Sequence, residues 1–588
     1  MDFFSLLTLI GGLALFLYGM EVMGDSLKKL AGGKLESFLA RLTSNRFKGF
    51  LLGLIVTAVI QSSSATTVML VGFVNSGIMR LGQTISIILG ANIGTTVTSW
   101  LLSLGGISGE AFFVKILKPT SFSPILAGIG VVMYMMCKSD KKKDIASILI
   151  GFAVLMFGMD TMSGAMSGLK DDPAFAKLLI MFSNPIMGVV VGAIFTAIIQ
   201  SSSASVGILQ ALSLTVAIPY STAIPIILGQ NIGTTITPII SSITGNTDSK
   251  RVAMACLYIK VIGVIVVGGI FYLLNAFLGF EFMGQNVSII AIAFIHTLFN
   301  VLHTVIIMPF CNQMEKLTVA TVKGKKAKEE PEEDEGVFAL LDSRFLAMPS
   351  FAVEQCHELV SKMAKISKEA LISSTDVLKL FDAPKIEAVK ALEGVVDKYE
   401  DKIGSYLVKL AEKNVSAKDS KAITELLHCI GDIERISDHA VNIVEAAEEM
   451  HSKNIGFSDE ANHDLGVISS AVCEILELTV NALENENLGT ASMVEPLEQV
   501  IDRLKLKIKN NHIMRLRDGK CTVEMGFILS DLLNNYERVA DHCSNIAVCI
   551  LELAHGSFDT HEYLNNVKEN DENNFGLLYE KYKEKYAL

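Results

Sequence analysis

The chain reads as an all-α protein in two halves. The first is a polytopic membrane domain of two inverted repeats with re-entrant hairpins; the second is a cytoplasmic domain of long soluble helices that is itself duplicated. Three observations predict this. A duplication runs through the apolar half at a constant offset of 139 residues: Gln61-Ser62-Ser63-Ser64-Ala65 returns as Gln200-Ser201-Ser202-Ser203-Ala204, and Asn92-Ile93-Gly94-Thr95-Thr96 as Asn231-Ile232-Gly233-Thr234-Thr235. Charge is split between the halves, with 18 Lys+Arg and 13 Asp+Glu in residues 1–315 against 32 and 49 in residues 316–588. The acidic half carries its own duplication at offset 103, in which Asp432-x-Glu434-Arg435-x-x-Asp438-His439 returns as Asn535-x-Glu537-Arg538-x-x-Asp541-His542.

A chain of 588 residues exceeds what one hydrophobic core supports. The composition, 50% hydrophobic with positive mean hydropathy, is that of a membrane protein. An acidic tail argues against a nucleic-acid partner. The nine cysteines form no CxxC pair and read as reduced thiols. Residues 3–20 are apolar but follow Asp2, not a basic stretch, and the same segment recurs at 142–159, so it is structural and not a cleaved signal.

Spans of roughly 20 apolar residues are needed to cross a bilayer. Candidates run at about 3–20, 83–104, 122–137, 145–160, 221–243, 252–274 and 286–310. Residues 47–79 and 186–218 differ: each is apolar at both ends with the Gln-Ser-Ser-Ser group in its middle, which predicts a helix that enters, breaks and returns. Irregular backbone at membrane depth is tolerated only where protein or a cavity satisfies it. Basic residues set the orientation. Lys28, Lys29, Lys34, Arg41, Arg46 and Lys48 put the loop at 21–49 in the cytoplasm, as do Lys138 and Lys141 to Lys143 for theirs, and Lys250 and Arg251 for theirs. The loop at 161–185, in the repeat position of 21–49, has only Lys170 and Lys177 against Asp160, Asp171 and Asp172, and belongs outside. The second copy is therefore inverted, the architecture that lets one central site face either side in turn. The domain plan is a transport domain at 1–315 (repeats at about 1–138 and 140–277, an extra helix at 286–310), a charged linker at 316–340, a helical domain at 341–557 and a tail at 558–588.

Hydroxyls and amides in hydrocarbon are costly unless they bind something. Gln61, Ser62, Ser63, Ser64 and their copies Gln200, Ser201, Ser202, Ser203 are hard oxygen donors suited to Na+, and with the free N–H groups of a broken helix they suit an oxyanion as well. Asn92, Thr95, Thr96 and their copies Asn231, Thr234, Thr235 look like a second helix break, with the intervening glycine permitting the turn. The alternative is that these small residues ease helix packing. Glu21 and Asp160 read as interfacial. Lys260 is deep enough to balance an anionic substrate, with snorkelling or pairing as the alternatives. His296 and His303, seven apart on one helix face, read as packing residues before proton relays.

Paired QSSS hairpins, each followed by G-x-N-I-G-T-T, together with His296-Thr297-Leu298-Phe299-Asn300, resemble the sodium–phosphate cotransporter family related to the animal type II transporters. The resemblance covers residues 1–310. It implies Na+-coupled movement of inorganic phosphate across a bacterial-type inner membrane, with the QSSS and NIGTT residues lining the site. The residues by themselves indicate a small hydrophilic solute and a cation. Export of phosphate, another oxyanion, or phosphate sensing without transport are the alternatives, and a homo-oligomer stays open. No Gly-x-Ser-x-Gly elbow is present, so no enzyme is expected.

In the acidic half, Glu393-x-x-x-Asp397 precedes Glu434 and Asp438, and Glu498-x-x-x-Asp502 precedes Glu537 and Asp541. Acidic residues four apart share a helix face and repel. Facing helices that gather four of them build metal sites in bundles; the alternative is a solvated acidic face paired to Arg435 or Arg538. The pattern resembles PhoU-type domains over about 345–555. That resemblance implies two three-helix bundles holding a divalent ion or an iron cluster and a role in regulating phosphate uptake. Asp432 against Asn535 predicts a difference between the two sites.

Overall fold

Two glutamines end their helices in the left-handed region, and this positions the rest. The structure, a computed structural model, describes residues 3–31, 45–106, 119–169, 173–324, 337–413, 415–555 and 575–588. It divides into two compact units, Met1–Phe351 and Ala352–Leu588. The loop positions Lys34, Arg41 and Lys170 and residues 325–336 of the charged linker lie outside the described residues.

In the first unit, α1 (Phe3–Ala31) is followed by α2 (Arg46–Ile60) and α3 (Ser63–Asn75), then α4 (Leu81–Gly94), α5 (Thr96–Ser103) and α6 (Pro119–Met136). The second copy repeats the order: α7 (Asp140–Ala165), α8 (Pro173–Phe182), α9 (Pro185–Ile199), α10 (Ser202–Thr215), α11 (Tyr220–Gly233), α12 (Ile236–Ser242), α13 (Thr247–Gly263) and α14 (Gly269–Leu278). Then come α15 (Ile289–Ile307) and α16 (Cys311–Thr321), so residues 316–321 of the expected linker continue a helix. Several of these helices are long and apolar enough to cross a membrane.

Gln61 closes α2 at φ 60° and Gln200 closes α9 at φ 60°. A residue with a Cβ pays for that conformation, and strain of this kind collects at functional sites. The next serine in each copy caps the returning helix: Ser62 Oγ accepts from the N–H of Ala65 at 3.1 Å, and Ser201 Oγ from Ala204 at 3.2 Å. The limbs fold back on one another, since Thr57 and Thr66 hydroxyls meet at 3.0 Å and Thr196 donates to Ser205 at 2.8 Å. Nine residues of continuous helix would separate them by about 13 Å. Both expected hairpins are therefore helix–break–helix units.

The second expected break is different. Thr95 and Thr234 keep right-handed helical geometry (φ −59° and −63°), so α4–α5 and α11–α12 run on with only a local turn. The glycines there serve close approach instead. A Cβ on Gly90 would lie 1.9 Å from Phe50 O and one on Gly53 2.2 Å from Ile87 O; in the second copy the values are 2.0 Å for Gly229 to Val189 O and 2.2 Å for Gly192 to Ile226 O. Each hairpin limb is thus locked to the following span by facing small-residue stripes. The equivalent helices α1 and α7 pack in the same way but antiparallel. Gly12 lies against Gly158 and Gly19 against Gly151, each position meeting the other's repeat equivalent.

The stretch after the linker also belongs to the first unit. Asp342 pairs with Arg344 and accepts from Asn75 Nδ2 at 2.7 Å, while Asn75 Oδ1 accepts from Ser249 Oγ at 3.0 Å and from the Asn246 N–H at 2.9 Å. Phe345, fully buried, stacks among Phe73 and Phe351 at 5.5 and 5.0 Å. This segment ties the end of the first hairpin to the α12–α13 turn of the second copy.

The second unit has three long helices per copy: α17 (Pro349–Lys379), α18 (Ala383–Ala411) and α19 (Ala417–Ser452), then α20 (Asp459–Asn485), α21 (Val494–Arg517) and α22 (Val523–His555). Helix α20 is apolar enough to span a bilayer. Its Leu465, Ile468, Val472, Ile475 and Leu476 are instead buried in the bundle core, as an amphipathic stripe requires.

Candidate functional site

The two hairpin breaks meet. Ser64 Oγ donates to the carbonyl of Gln200 at 3.4 Å. Thr98, on α5, donates to Gln61 Oε1 at 2.7 Å and accepts from Ser203 Oγ at 3.4 Å, joining both copies through one hydroxyl. Ser63 and Ser202, equivalent positions, are both buried at 6% exposure. Beside them Ser99 Oγ shares a hydrogen bond with His296 Nδ1 at 3.0 Å, and Gln210 Nε2 donates to Ser99 O and Ile289 O at 3.0 and 3.1 Å. Thr98, Ser99 and Gln210 are absent from the sequence-derived set. Thr98 was reachable: it stands one turn after Thr95 on the same face, and Thr237 repeats it at the same offset.

The NIGTT hydroxyls bond back to their own helices. Thr95 donates to Ala91 O, Thr96 to Ile93 O, Thr234 to Asn231 O and Thr235 to Ile232 O, all within 2.9 Å. Their lone pairs stay available as acceptors. Asn231 Nδ2 donates to Ile227 O at 2.9 Å, whereas Asn92 Nδ2 is buried without a partner, as are Thr237 Oγ1, Gln230 Oε1 and Gln210 Oε1. Buried polar atoms left open in this number mark a place that takes water, an ion or a solute. Gln61 is buried; Gln200 is exposed.

In the second unit the eight expected carboxylates divide. Oxygen atoms of Glu393, Asp397 and Asp438 lie within 4.8 Å of one another, as do those of Glu498, Asp502 and Asp541. Glu434 stands outside the first trio beside Arg435 at 3.5 Å, and Glu537 outside the second, paired with Lys505. Burial first, then neighbouring carboxylates, raises Glu393, Asp502 and Asp541 above the ordinary carboxyl range; burial, then Asp438, pushes Glu434 up to about 7. Asp502 Oδ1 is buried with no hydrogen-bond partner. Hard oxygens gathered with unrelieved repulsion fit a multivalent cation.

Asp432 stands outside both trios. It and Asn535 each hold the other copy. Asp432 Oδ1 accepts from His542 Nδ1 at 2.8 Å and Asn545 Nδ2 at 3.2 Å; Asn535 Oδ1 meets His439 Nδ1 at 2.7 Å and accepts from Asn442 Nδ2 at 3.2 Å. The difference therefore lies in the acceptor at the seam between the copies: a carboxylate meets His542 where an amide meets His439.

Comparison with known proteins adds to this geometry. Residues 15–164 and 155–291 match the Na+/Pi-cotransporter family, and residues 360–447 and 467–550 the PhoU domain. A Salmonella typhimurium protein named for inorganic phosphate export, YjbB, is 22% identical over 553 residues, covering 93% of this chain and 98% of that one. The rat sodium-dependent phosphate transport protein 2A is 36% identical over 99 residues, 16% of this chain and 15% of that one. The phosphate-specific transport system accessory protein PhoU homolog 1 of Thermotoga maritima is 23% identical over 214 residues, 36% of this chain and 91% of that one.

Proposed function

With residues 15–291 belonging to the Na+/Pi-cotransporter family and residues 360–447 and 467–550 to the PhoU domain family, we propose that this membrane protein moves inorganic phosphate together with Na+ across the cytoplasmic membrane. The substrate site is the meeting place of the two breaks, lined by Gln61 to Ser64, Gln200 to Ser203 and the Asn92 and Asn231 segments. The single observation that carries the reading is the junction of Gln61, Thr98 and Ser203, in which both copies contribute to one polar centre. Free hydroxyls and helix N-termini hold the oxyanion, and hydroxyl, carboxamide and carbonyl oxygens hold Na+.

The antiparallel packing of α1 on α7 supports the inverted repeat, and the hairpins then enter the bilayer from opposite faces. Lys29, near the end of α1, acts electrostatically on Asp144, near the start of α7. That places the basic clusters Lys28–Lys29 and Lys141–Lys143 on one side, which supports a common cytoplasmic face. In this reading the second unit is a cytoplasmic regulator whose carboxylate trios hold cations.

Purified protein in liposomes, with imposed gradients of Na+ and labelled phosphate, tests the function. Na+-dependent phosphate flux is expected, and flux in both imposed directions decides between uptake and the export named for the full-length relatives. Sodium-independent binding without flux supports the sensor reading instead.

A further inference from the structure

One buried cation in the first unit has no counter-charge among the described residues. Lys260 lies on α13 nine residues beyond Arg251 and is 4% exposed, so its ammonium does not reach back to water. It donates to Thr234 Oγ1. Among the described residues it makes no ion pair; Cys256, one turn earlier on its own helix, and His296 and His303 of α15 are the titratable groups facing it. A neutral hydroxyl cannot balance an ammonium, and a buried charge without a partner is among the costlier things a fold can hold. Such a charge inside a membrane domain marks a pathway or a ligand.

The repeat register shows which edge the ammonium faces. Thr234 and Thr237 are the counterparts of Thr95 and Thr98, and Thr98 is the residue that joins Gln61 to Ser203. Thr237 lies one turn from Thr234 on the same face, with its hydroxyl buried and without a partner. The backbone next to Lys260 is irregular as well, with a π-helical turn over Val264–Gly268, a feature often found at functional sites. At the same offset the first copy has Ser121, which is exposed.

Resting on the phosphate-transport reading, we infer that Lys260 supplies the fixed positive charge that holds the transported oxyanion, donating to it from the Thr234–Thr237 edge of the second copy.

The test uses the full chain in liposomes, comparing the parent with Lys260→Met and Lys260→Arg. Loss of a charged hydrogen bond predicts a tenfold to hundredfold rise in the phosphate KM for Lys260→Met, with the Na+ dependence unchanged and partial recovery in Lys260→Arg. With the fixed charge gone, preference shifts toward the less charged form of phosphate, so the pH profile of uptake moves to lower pH. A purely structural role would not move it. Should Lys260→Met fold poorly, phosphate-dependent thermal stabilisation of Lys260→Gln in detergent reads the same contact; stabilisation equal to that of the parent overturns the inference. Unchanged phosphate KM in folded Lys260→Met overturns it too. So does a newly acquired extra Na+ dependence, which would mean that the ammonium stands in for a coupling cation. If the parent itself moves no phosphate, the transport reading falls first; if the parent transports and Lys260→Met is normal, only this inference falls.

Discussion

Both halves of the chain are duplications, and they use the second copy differently. In the first unit two copies build one polar centre, because the breaks at Gln61 and Gln200 come together and Thr98 joins them. In the second unit each copy completes its own carboxylate trio, Glu393, Asp397 and Asp438 in one and Glu498, Asp502 and Asp541 in the other. There the contact between copies is made by Asp432 with His542 and Asn535 with His439. The two copies differ at this centre: Gln61 is bonded and buried, Gln200 is exposed, Thr237 has no hydrogen-bond partner among the described residues where its counterpart Thr98 has two, and the first hairpin is tied down through Asn75 and Asp342.

The strongest way to break the symmetric part of this comparison is at the hairpin locks. Gly90→Ala and Gly229→Ala force a Cβ to 1.9 and 2.0 Å from a backbone carbonyl, and each should cost about 3 kcal/mol, near the top of the overpacking range. Gly11→Ala, with nothing within 4 Å of its Cβ, is the control. Thermal melting in detergent reads the difference; equal melting of all three variants would show that the stripes do not bear the packing.

If the second unit truly holds separate sites, Glu393→Gln with Asp438→Asn should remove one bound metal equivalent and leave the other. Elemental analysis counts the equivalents. A site saturated at a hundredfold excess over its Kd contributes about 2.7 kcal/mol to melting stability, and half of the metal-dependent shift should persist. Loss of both equivalents together would contradict independent trios.

The shared site predicts the opposite outcome. Ser63→Ala or Ser202→Ala alone should weaken phosphate by tenfold to a hundredfold, about 1.5–3 kcal/mol, whichever copy is changed. The double variant should be less than additive, since both hydroxyls serve one ligand. Phosphate KM in liposomes measures this, and normal transport by both single variants would refute the shared centre.

The smallest effect sharpens the comparison within the second unit. Glu425, 6% exposed, with Lys421 Nζ 3.7 Å from its carboxylate but no hydrogen bond to either oxygen, is pushed up to about 7, by burial first, against Lys421 which lowers it. The folded state therefore keeps this proton to higher pH than the unfolded chain, whose carboxyl titrates near 4.5. Stability falls as pH rises between about 4.5 and about 7 and stays lower above that window. Glu425→Gln should flatten this slope and raise stability at alkaline pH by about 1–2 kcal/mol. Melting curves across pH check it, and an unchanged slope would rule out Glu425 as the titrating group.

Much of the site was legible before the fold. The polar groups Gln61–Ser64 and Gln200–Ser203 stand out because hydrocarbon makes them costly, and both do break their helices. Asn92 to Thr96 misled in one respect. Glycine there suggested a turn, but Gly94 serves close approach: a Cβ would lie 2.6 Å from Leu54 O. The eight acidic residues were readable as two sets, but not that Lys505 would take Glu537 and Arg435 would flank Glu434. Those partners come from a different helix or from a rotamer, and neither leaves a period in the sequence.

The sequence by itself determined the two duplications, their registers, the apolar spans, the positions of the hairpin breaks and the helix faces that carry carboxylates. All of these follow from local rules: helical periodicity, the cost of polar groups in hydrocarbon and the capping chemistry of serine. Only the tertiary structure decided that two breaks form one centre while two acidic sets stay apart, that Lys260 is buried without a counter-charge among the described residues, and that residues 342–351 fold back onto the first hairpin. Those outcomes depend on which distant segments meet. Contacts of that kind are set by the packing of whole helices, through facing glycine stripes and buried aromatic rings, and not by any window of neighbouring residues.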